Sequence, residues 1–121
     1  MTALMVALGA AVGAPLRYLT DRFIQSRFSP VFPWGTLVVN VVGSFLAGVA
    51  IALWTDGRLN DEAAALAAVG FCGALTTYST FSYETLRLFE GGARWYSLGN
   101  VVISVTAGVG AAALGWAVVV A

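Results

Sequence analysis

The chain has 121 residues, 60% of them hydrophobic and 10% charged, against about 25% charged in an ordinary soluble domain; these proportions exclude a typical soluble domain and a disordered chain alike and suit a lipid bilayer. Six Arg, no Lys and six acidic residues cancel to a formal net charge of zero, so no basic patch exists to neutralise phosphates and nucleic acid is excluded as a partner. With no His, a single Cys (Cys72) and few ionisable residues inside the apolar stretches, the chain lacks the means for acid/base catalysis, a disulfide or a cysteine zinc site, and an enzyme is not expected.

A spanning helix needs about 20 mostly apolar residues to cross a core of roughly 30 Å. Residues 2–19, 34–54, 62–89 and 95–120 meet that requirement and predict an all-α membrane protein of four transmembrane helices in one domain, 1–121. The first stretch has no basic residue ahead of its apolar run, the reverse of a cleaved signal, and reads as a retained helix. In it Gly9, Gly13 and Arg17 recur every four residues and share a face. The glycines permit close helix packing. Arg17 either snorkels to the interface or attracts an anion, because a charge held in hydrocarbon costs at least about 2.5 to 3.5 kcal/mol.

The second stretch is bracketed by Trp34 and Trp54, which suit the two membrane interfaces. Thr36, Asn40 and Ser44 form a polar stripe along it; such groups serve either as an interhelical hydrogen bond or as donors to a ligand. The third stretch opens on Asn60, Asp61 and Glu62, a capping side chain followed by carboxylates at the positive end of a helix. From Thr76 to Ser82 five of seven residues are Ser or Thr, with Gly70 and Gly73 just before them. Glycine and hydroxyl side chains both disfavour continuous helix, so the third helix is expected to break near the bilayer midplane. Freed carbonyls at that depth are ready ligands for a small cation such as Na+. Glu84 and Arg87, three residues apart, are expected to pair at the interface, and Cys72 to be a small buried hydrophobe. The fourth stretch carries Asn100, Ser104 and Gly108 at the same four-residue spacing, followed by Ala112.

The links are polar: 21–33, 55–60 and 90–94. Arg22 and Arg27 fall on the first and Arg94 on the third, with Arg87 on the same side at the end of the third span, and only Arg58 falls on the second. A single fixed orientation would therefore hold the first and third links in the cytoplasm and both termini outside. Two helices with matching stripes of neutral donors favour a polar path between them. Cation channels and proton-coupled exporters usually rely on membrane carboxylates, and here only Glu84 comes close. What remains is amides, hydroxyls and the positive edges of aromatic rings, which points to conduction of a small anion.

The segments Gly13-Ala14-Pro15-Leu16-Arg17-Tyr18, Gly35-Thr36-Leu37-Val38-Val39-Asn40-Val41-Val42-Gly43-Ser44-Phe45 and Gly70-Phe71-Cys72-Gly73-Ala74-Leu75-Thr76-Thr77-Tyr78-Ser79-Thr80-Phe81-Ser82-Tyr83-Glu84, with Asn100 and Ser104, resemble the Fluc (CrcB) fluoride channel family. The resemblance covers nearly the whole chain. It implies a dual-topology dimer of antiparallel subunits with two fluoride pores along the interface, in the cell membrane, leaking fluoride passively from the cytoplasm and so limiting its toxicity. It further implies a structural, untransported Na+ on the backbone carbonyls of Gly73 and Thr76. Asn40, Phe81, Tyr78, Ser104 and Thr36 are assigned by it to the fluoride pore, and Arg17 and Glu84 to a vestibule. The family's aromatic pair is usually two Phe, and here Tyr78 takes the first place. That departure and the Arg asymmetry also fit a heterodimer with a paralogue, beside the homodimer taken as first choice. Two other readings compete: a small multidrug-resistance-type exporter, which needs a carboxylate deep in the first helix where the chain has none, and a non-conducting membrane scaffold whose stripes only join helices.

Overall fold

The computed structural model describes residues 2–28 and 31–121, and they are helical nearly throughout. In chain order come α1 (Thr2–Arg27) and α2 (Trp34–Thr55), then a composite stretch of α3 (Asp61–Ala64), a π-helical segment (Ala65–Cys72), α4 (Gly73–Leu75) and α5 (Tyr78–Glu90), and finally α6 (Arg94–Val120). Counting Asp61–Glu90 as one, four helices are long and apolar enough to cross a membrane. The protein is a multi-pass, all-α membrane protein.

The first helix does not stop where its hydropathy falls. The reading of 2–19 as helix and 21–33 as link is corrected to α1 ending at Arg27. The polar residues of its last turns find partners along the helix: Arg22 Nη1 donates to the Tyr18 hydroxyl at 3.1 Å, the Ser26 hydroxyl donates to the Phe23 carbonyl at 2.7 Å, and the Arg27 guanidinium lies 4.8 Å from the Phe23 ring centre. Falling hydropathy there marks polar surroundings, and helix propensity is a separate quantity.

Pro33 precedes α2 and offers no side-chain cap. Gln25 of α1 supplies one: its Oε1 accepts the Gly35 N–H at 3.2 Å and its Nε2 donates to the Phe32 carbonyl at 3.0 Å. Phe32 is buried beneath Trp34 and Tyr96, with ring centres 4.7 and 6.3 Å away. At the other end of α2 the Trp54 indole donates to Asp61 Oδ1 at 2.7 Å, and Asn60 Oδ1 accepts the Ala63 N–H at 2.7 Å, capping α3 as its sequence position predicts.

Small residues set how closely the helices approach. α1 lies on the π-helical segment, where a Cβ on Gly9 would fall 2.6 Å from the Phe71 nitrogen and one on Gly70 3.0 Å from the Val6 Cα. α2 lies on α6, where a Cβ on Gly48 would fall 3.1 Å from the Ala112 Cα and one on Gly115 3.0 Å from the Val49 nitrogen. Lipid is as apolar as the side chains, so such contacts hold membrane helices by packing rather than by the hydrophobic effect. Large apolar side chains accordingly face outward, among them Val12, Val69 and Val109, while Cys72 is a free, buried thiol within the core.

Candidate functional site

The composite stretch leaves helical geometry for two residues between α4 and α5. Thr76 and Thr77 have extended backbones, with φ/ψ of −83°/160° and −148°/124°. Their hydroxyls replace the bonds that a continuous helix would make. The Thr76 hydroxyl and N–H both donate to the Cys72 carbonyl at 2.9 Å, and the Thr77 hydroxyl accepts the Thr80 N–H at 3.1 Å, which caps α5. Asn40 of α2 completes the arrangement. Its Oδ1 accepts the Thr77 N–H at 2.8 Å and its Nδ2 donates to the Thr77 carbonyl at 3.1 Å. One side-chain amide thus satisfies both backbone groups of a residue that has left the helix, as backbone within a membrane protein requires. Gly43, next along the same face of α2, makes room for the Thr76 methyl.

Below this clasp lies a groove of about 290 Å³. Asn40 and Ser44 form one wall, Ser104 and Gly108 of α6 another, and Tyr78 and Phe81 stand at its edge with ring centres 6.1 Å apart. Four sequence-predicted residues, Asn40, Tyr78, Phe81 and Ser104, therefore meet in one place. Tyr78 is 81% exposed in the single chain.

Ser104 is held from behind. Its hydroxyl donates to Asn100 Oδ1 at 3.2 Å, Asn100 Nδ2 donates to the Thr85 hydroxyl at 2.8 Å, and that hydroxyl donates to the Phe81 carbonyl at 2.8 Å. Ser97 adds a 2.8 Å bond to the Thr85 carbonyl. Asn100 is 1% exposed, so this chain runs through the core between α5 and α6 and joins both ends of the groove lining. Sequence reasoning missed Thr85. Its signal was its place one turn after Phe81, from which a threonine hydroxyl reaches the carbonyl four residues back.

A second cavity of about 220 Å³ is lined by Arg17, Tyr18, Asp21, Thr36, Val39, Thr77 and Thr80. It, too, touches Thr77. Thr36, assigned by resemblance to the pore, lies here with Arg17, one turn of α2 from Asn40. Arg17 Nε and Glu84 Oε1 are buried without a hydrogen-bond partner among the described residues. The expected Glu84–Arg87 ion pair does not form: among the described residues the one salt bridge is Arg58–Asp56 at 2.8 Å. Glu84 sits instead near Thr36 and Asp21 as well as Arg87, turned toward the α1–α2 side rather than along its own helix.

Gly73 is exposed, and a Cβ there would meet nothing within 4 Å. Among the described residues, no capping or loop hydrogen bond reaches the Gly73 or Thr76 carbonyl. No cluster of three or more His, Cys, Asp or Glu is present among those residues, so a cation at this break would depend on such carbonyls.

A helical membrane protein whose polar groups converge on narrow grooves between helices belongs with channels and transporters in architecture. The family described as "CrcB-like protein, Camphor Resistance (CrcB)" matches residues 4–116, and the chain belongs to that family. It is 52% identical over 115 residues to a protein of Streptomyces avermitilis named Fluoride-specific ion channel FluC 1, covering 95% of this chain and 93% of that one. Proteins of the same name from Frankia casuarinae (53% identical, 95% of this chain and 93% of that one) and Thermobifida fusca (51% identical, 98% and 96%) are similar throughout. These relatives are named for ion conduction, and the protein is not an enzyme.

Proposed function

We propose that this protein is a fluoride-selective channel of the cell membrane, through which fluoride leaves the cytoplasm passively. The observation that carries the reading is the meeting of Asn40, Tyr78, Phe81 and Ser104 in one groove without a carboxylate in its lining. An anion that sheds water needs donors. The Asn40 amide has a second N–H beyond the one given to Thr77, the Ser104 hydroxyl can turn from Asn100 toward the groove, and the rings of Tyr78 and Phe81 offer positive edges. All of these groups are neutral, so the ion meets no deep charge that would trap it, and conduction requires binding weak enough to release. Relatives of the same length named fluoride-specific channels support the identity of the ion.

The groove of one chain is open on the side where Tyr78 stands exposed. In this reading a second copy, antiparallel to the first, closes it and forms a dual-topology homodimer in the bilayer. The Gly73 and Thr76 carbonyls fit a structural Na+ shared by the two copies, since they carry no capping donor and Gly73 faces open space. Bound there, the ion would supply fixed positive charge at the break; the transported ion is handled by the chain's own side chains. Arg17, with a buried atom that lacks a partner, serves the aqueous approach through the second cavity, and Glu84, with one such atom of its own, stands behind Thr36 of that cavity.

The test is fluoride efflux from liposomes containing only the purified protein, read with a fluoride electrode, with chloride as the control ion. Fast efflux of fluoride and not chloride is expected. A well-folded sample that conducts neither ion would refute the homodimeric channel, and recovery on adding a paralogue would identify a heterodimer.

A further inference from the structure

A cavity larger than either polar one lies away from both. It is a groove of about 520 Å³ between the end of α5 and the start of α6, lined by Phe89, Arg94, Trp95, Ser97, Leu98 and Val101. Three of these side chains carry polar atoms, and that of Trp95 is a single indole N–H on a large apolar ring. Ser97 is buried and its hydroxyl already donates to the Thr85 carbonyl at 2.8 Å, so the floor asks for an apolar occupant. Arg94 is the third. It opens α6 immediately after the Gly91–Gly92 turn, at a helix end where the chain leaves the membrane. Its guanidinium lies 5.6 Å from the Phe89 ring centre and forms no salt bridge among the described residues. From Arg94 the lining continues through Leu98 to Val101, two turns of helix or about 10 Å into the bilayer. Trp95 beside it is 84% exposed and suits the headgroup level.

We propose that this groove is a binding site for an anionic phospholipid, one acyl chain lying along Phe89, Leu98 and Val101 and the phosphate on Arg94. The occupant follows from the charge pattern. A cation without a counter-ion stands at the mouth of an apolar channel whose floor is hydrogen-bonded, and the complement of that pattern is a molecule with a negative head and a hydrocarbon tail. A neutral tail alone would leave Arg94 unused. A soluble anion would leave the apolar floor wet. A membrane-surface arginine favours anionic over zwitterionic lipid by about fivefold, which sets the size of the expected effect.

The experiment places the full-length protein in bilayers containing phosphatidylglycerol brominated on its acyl chains and reads quenching of tryptophan fluorescence, with Trp95→Phe reporting how much of the signal comes from Trp95. Competition by unlabelled phosphatidylglycerol should relieve the Trp95 quenching about fivefold more effectively than phosphatidylcholine. Arg94→Gln should abolish that preference, and Leu98→Trp, which fills the floor, should displace the brominated chain from native tryptophans nearby while the protein still elutes as the wild type does. Equal competition by the two lipids, or a preference unchanged in Arg94→Gln, would overturn the proposal. So would an unquenched Trp95, which would show that a second copy of the chain covers the groove.

Discussion

Asn40→Leu tests whether the clasp on Thr77 sets the geometry of the groove. The substitution keeps the bulk of the side chain and removes the acceptor of the 2.8 Å bond and the donor of the 3.1 Å bond together. Leaving a buried backbone group without its partner costs about 1 to 3 kcal/mol, whereas interhelical hydrogen bonds in membranes average about 0.6 and reach roughly 1.7 kcal/mol, because a freed group finds another partner. Thr77 touches two cavities, so water can take over part of the loss. Two bonds then give about 2 kcal/mol, a factor of roughly 30 in the population of the aligned break. Tyr78 and Phe81 hang on the helix that Thr77 caps, so fluoride efflux should fall at least tenfold while the protein stays folded. Asn40→Asp separates the two bonds: its carboxylate still accepts from the Thr77 N–H but faces the Thr77 carbonyl with an oxygen and puts negative charge on the groove wall. It should conduct even less than Asn40→Leu. Efflux at the wild-type rate in Asn40→Leu, measured in the same liposomes, would refute the reasoning that the clasp positions the rings.

Phe81→Ile removes a ring edge from the groove and keeps an apolar side chain; fluoride efflux should slow with the oligomeric state unchanged by light scattering. Asn100→Leu breaks the hold on Ser104 and leaves the Thr85 hydroxyl short of a donor, so thermal stability in detergent should drop by about 1 to 3 kcal/mol and efflux should fall with it. Gly48→Val drives a side chain into the Ala112 backbone and should cost about 1 to 3 kcal/mol or more by overpacking, read as an earlier loss of the folded species on heating. Exhaustive exchange of Na+ for a large organic cation should lower the stability of the assembled protein, and equal melting in both media would remove the cation from the Gly73–Thr76 break.

Much of this architecture was legible because a bilayer imposes simple rules on sequence. The apolar runs at 34–54 and 95–120 could only be helices, and α2 and α6 start and end within a residue or so of those limits. Hydroxyls and glycines at 70–82 compete with helical hydrogen bonding, and Thr76 and Thr77 within that run have extended backbones. α1 was read too short because hydropathy reports the solvent of a residue, while Tyr18–Arg22 and Phe23–Arg27 pairs one turn apart carry the helix past its apolar part. The partners of polar groups were the least legible. The four-residue spacing put Asn40 and Asn100 on stripes, but nothing in the spacing says that Asn40 turns to Thr77, thirty-seven residues on, or that Asn100 turns to Thr85 across the α5–α6 turn. Glu84 and Arg87 show the opposite failure. Helical spacing made them neighbours, and tertiary packing turned the carboxylate toward Thr36 and Asp21 on other helices.

These partners also explain why two asparagines stand at matching places on α2 and α6 yet do different work. Asn40 spends one N–H and its carbonyl on the backbone of the break and lines the groove itself; Asn100 is enclosed and acts on the groove only through Ser104. A polar group in the wall of a pathway has to be held firmly enough to keep its position and loosely enough to exchange a partner with a passing ion. The 3.2 Å Ser104–Asn100 bond, backed by the shorter 2.8 Å bonds from Asn100 to Thr85 and from Thr85 to Phe81, has that graded form. The weakest link faces the groove and the stronger ones lie behind it. An anion that takes the Ser104 hydrogen bond from Asn100 replaces one neutral acceptor with another of greater charge, and on leaving it returns the hydroxyl to a partner that has not moved.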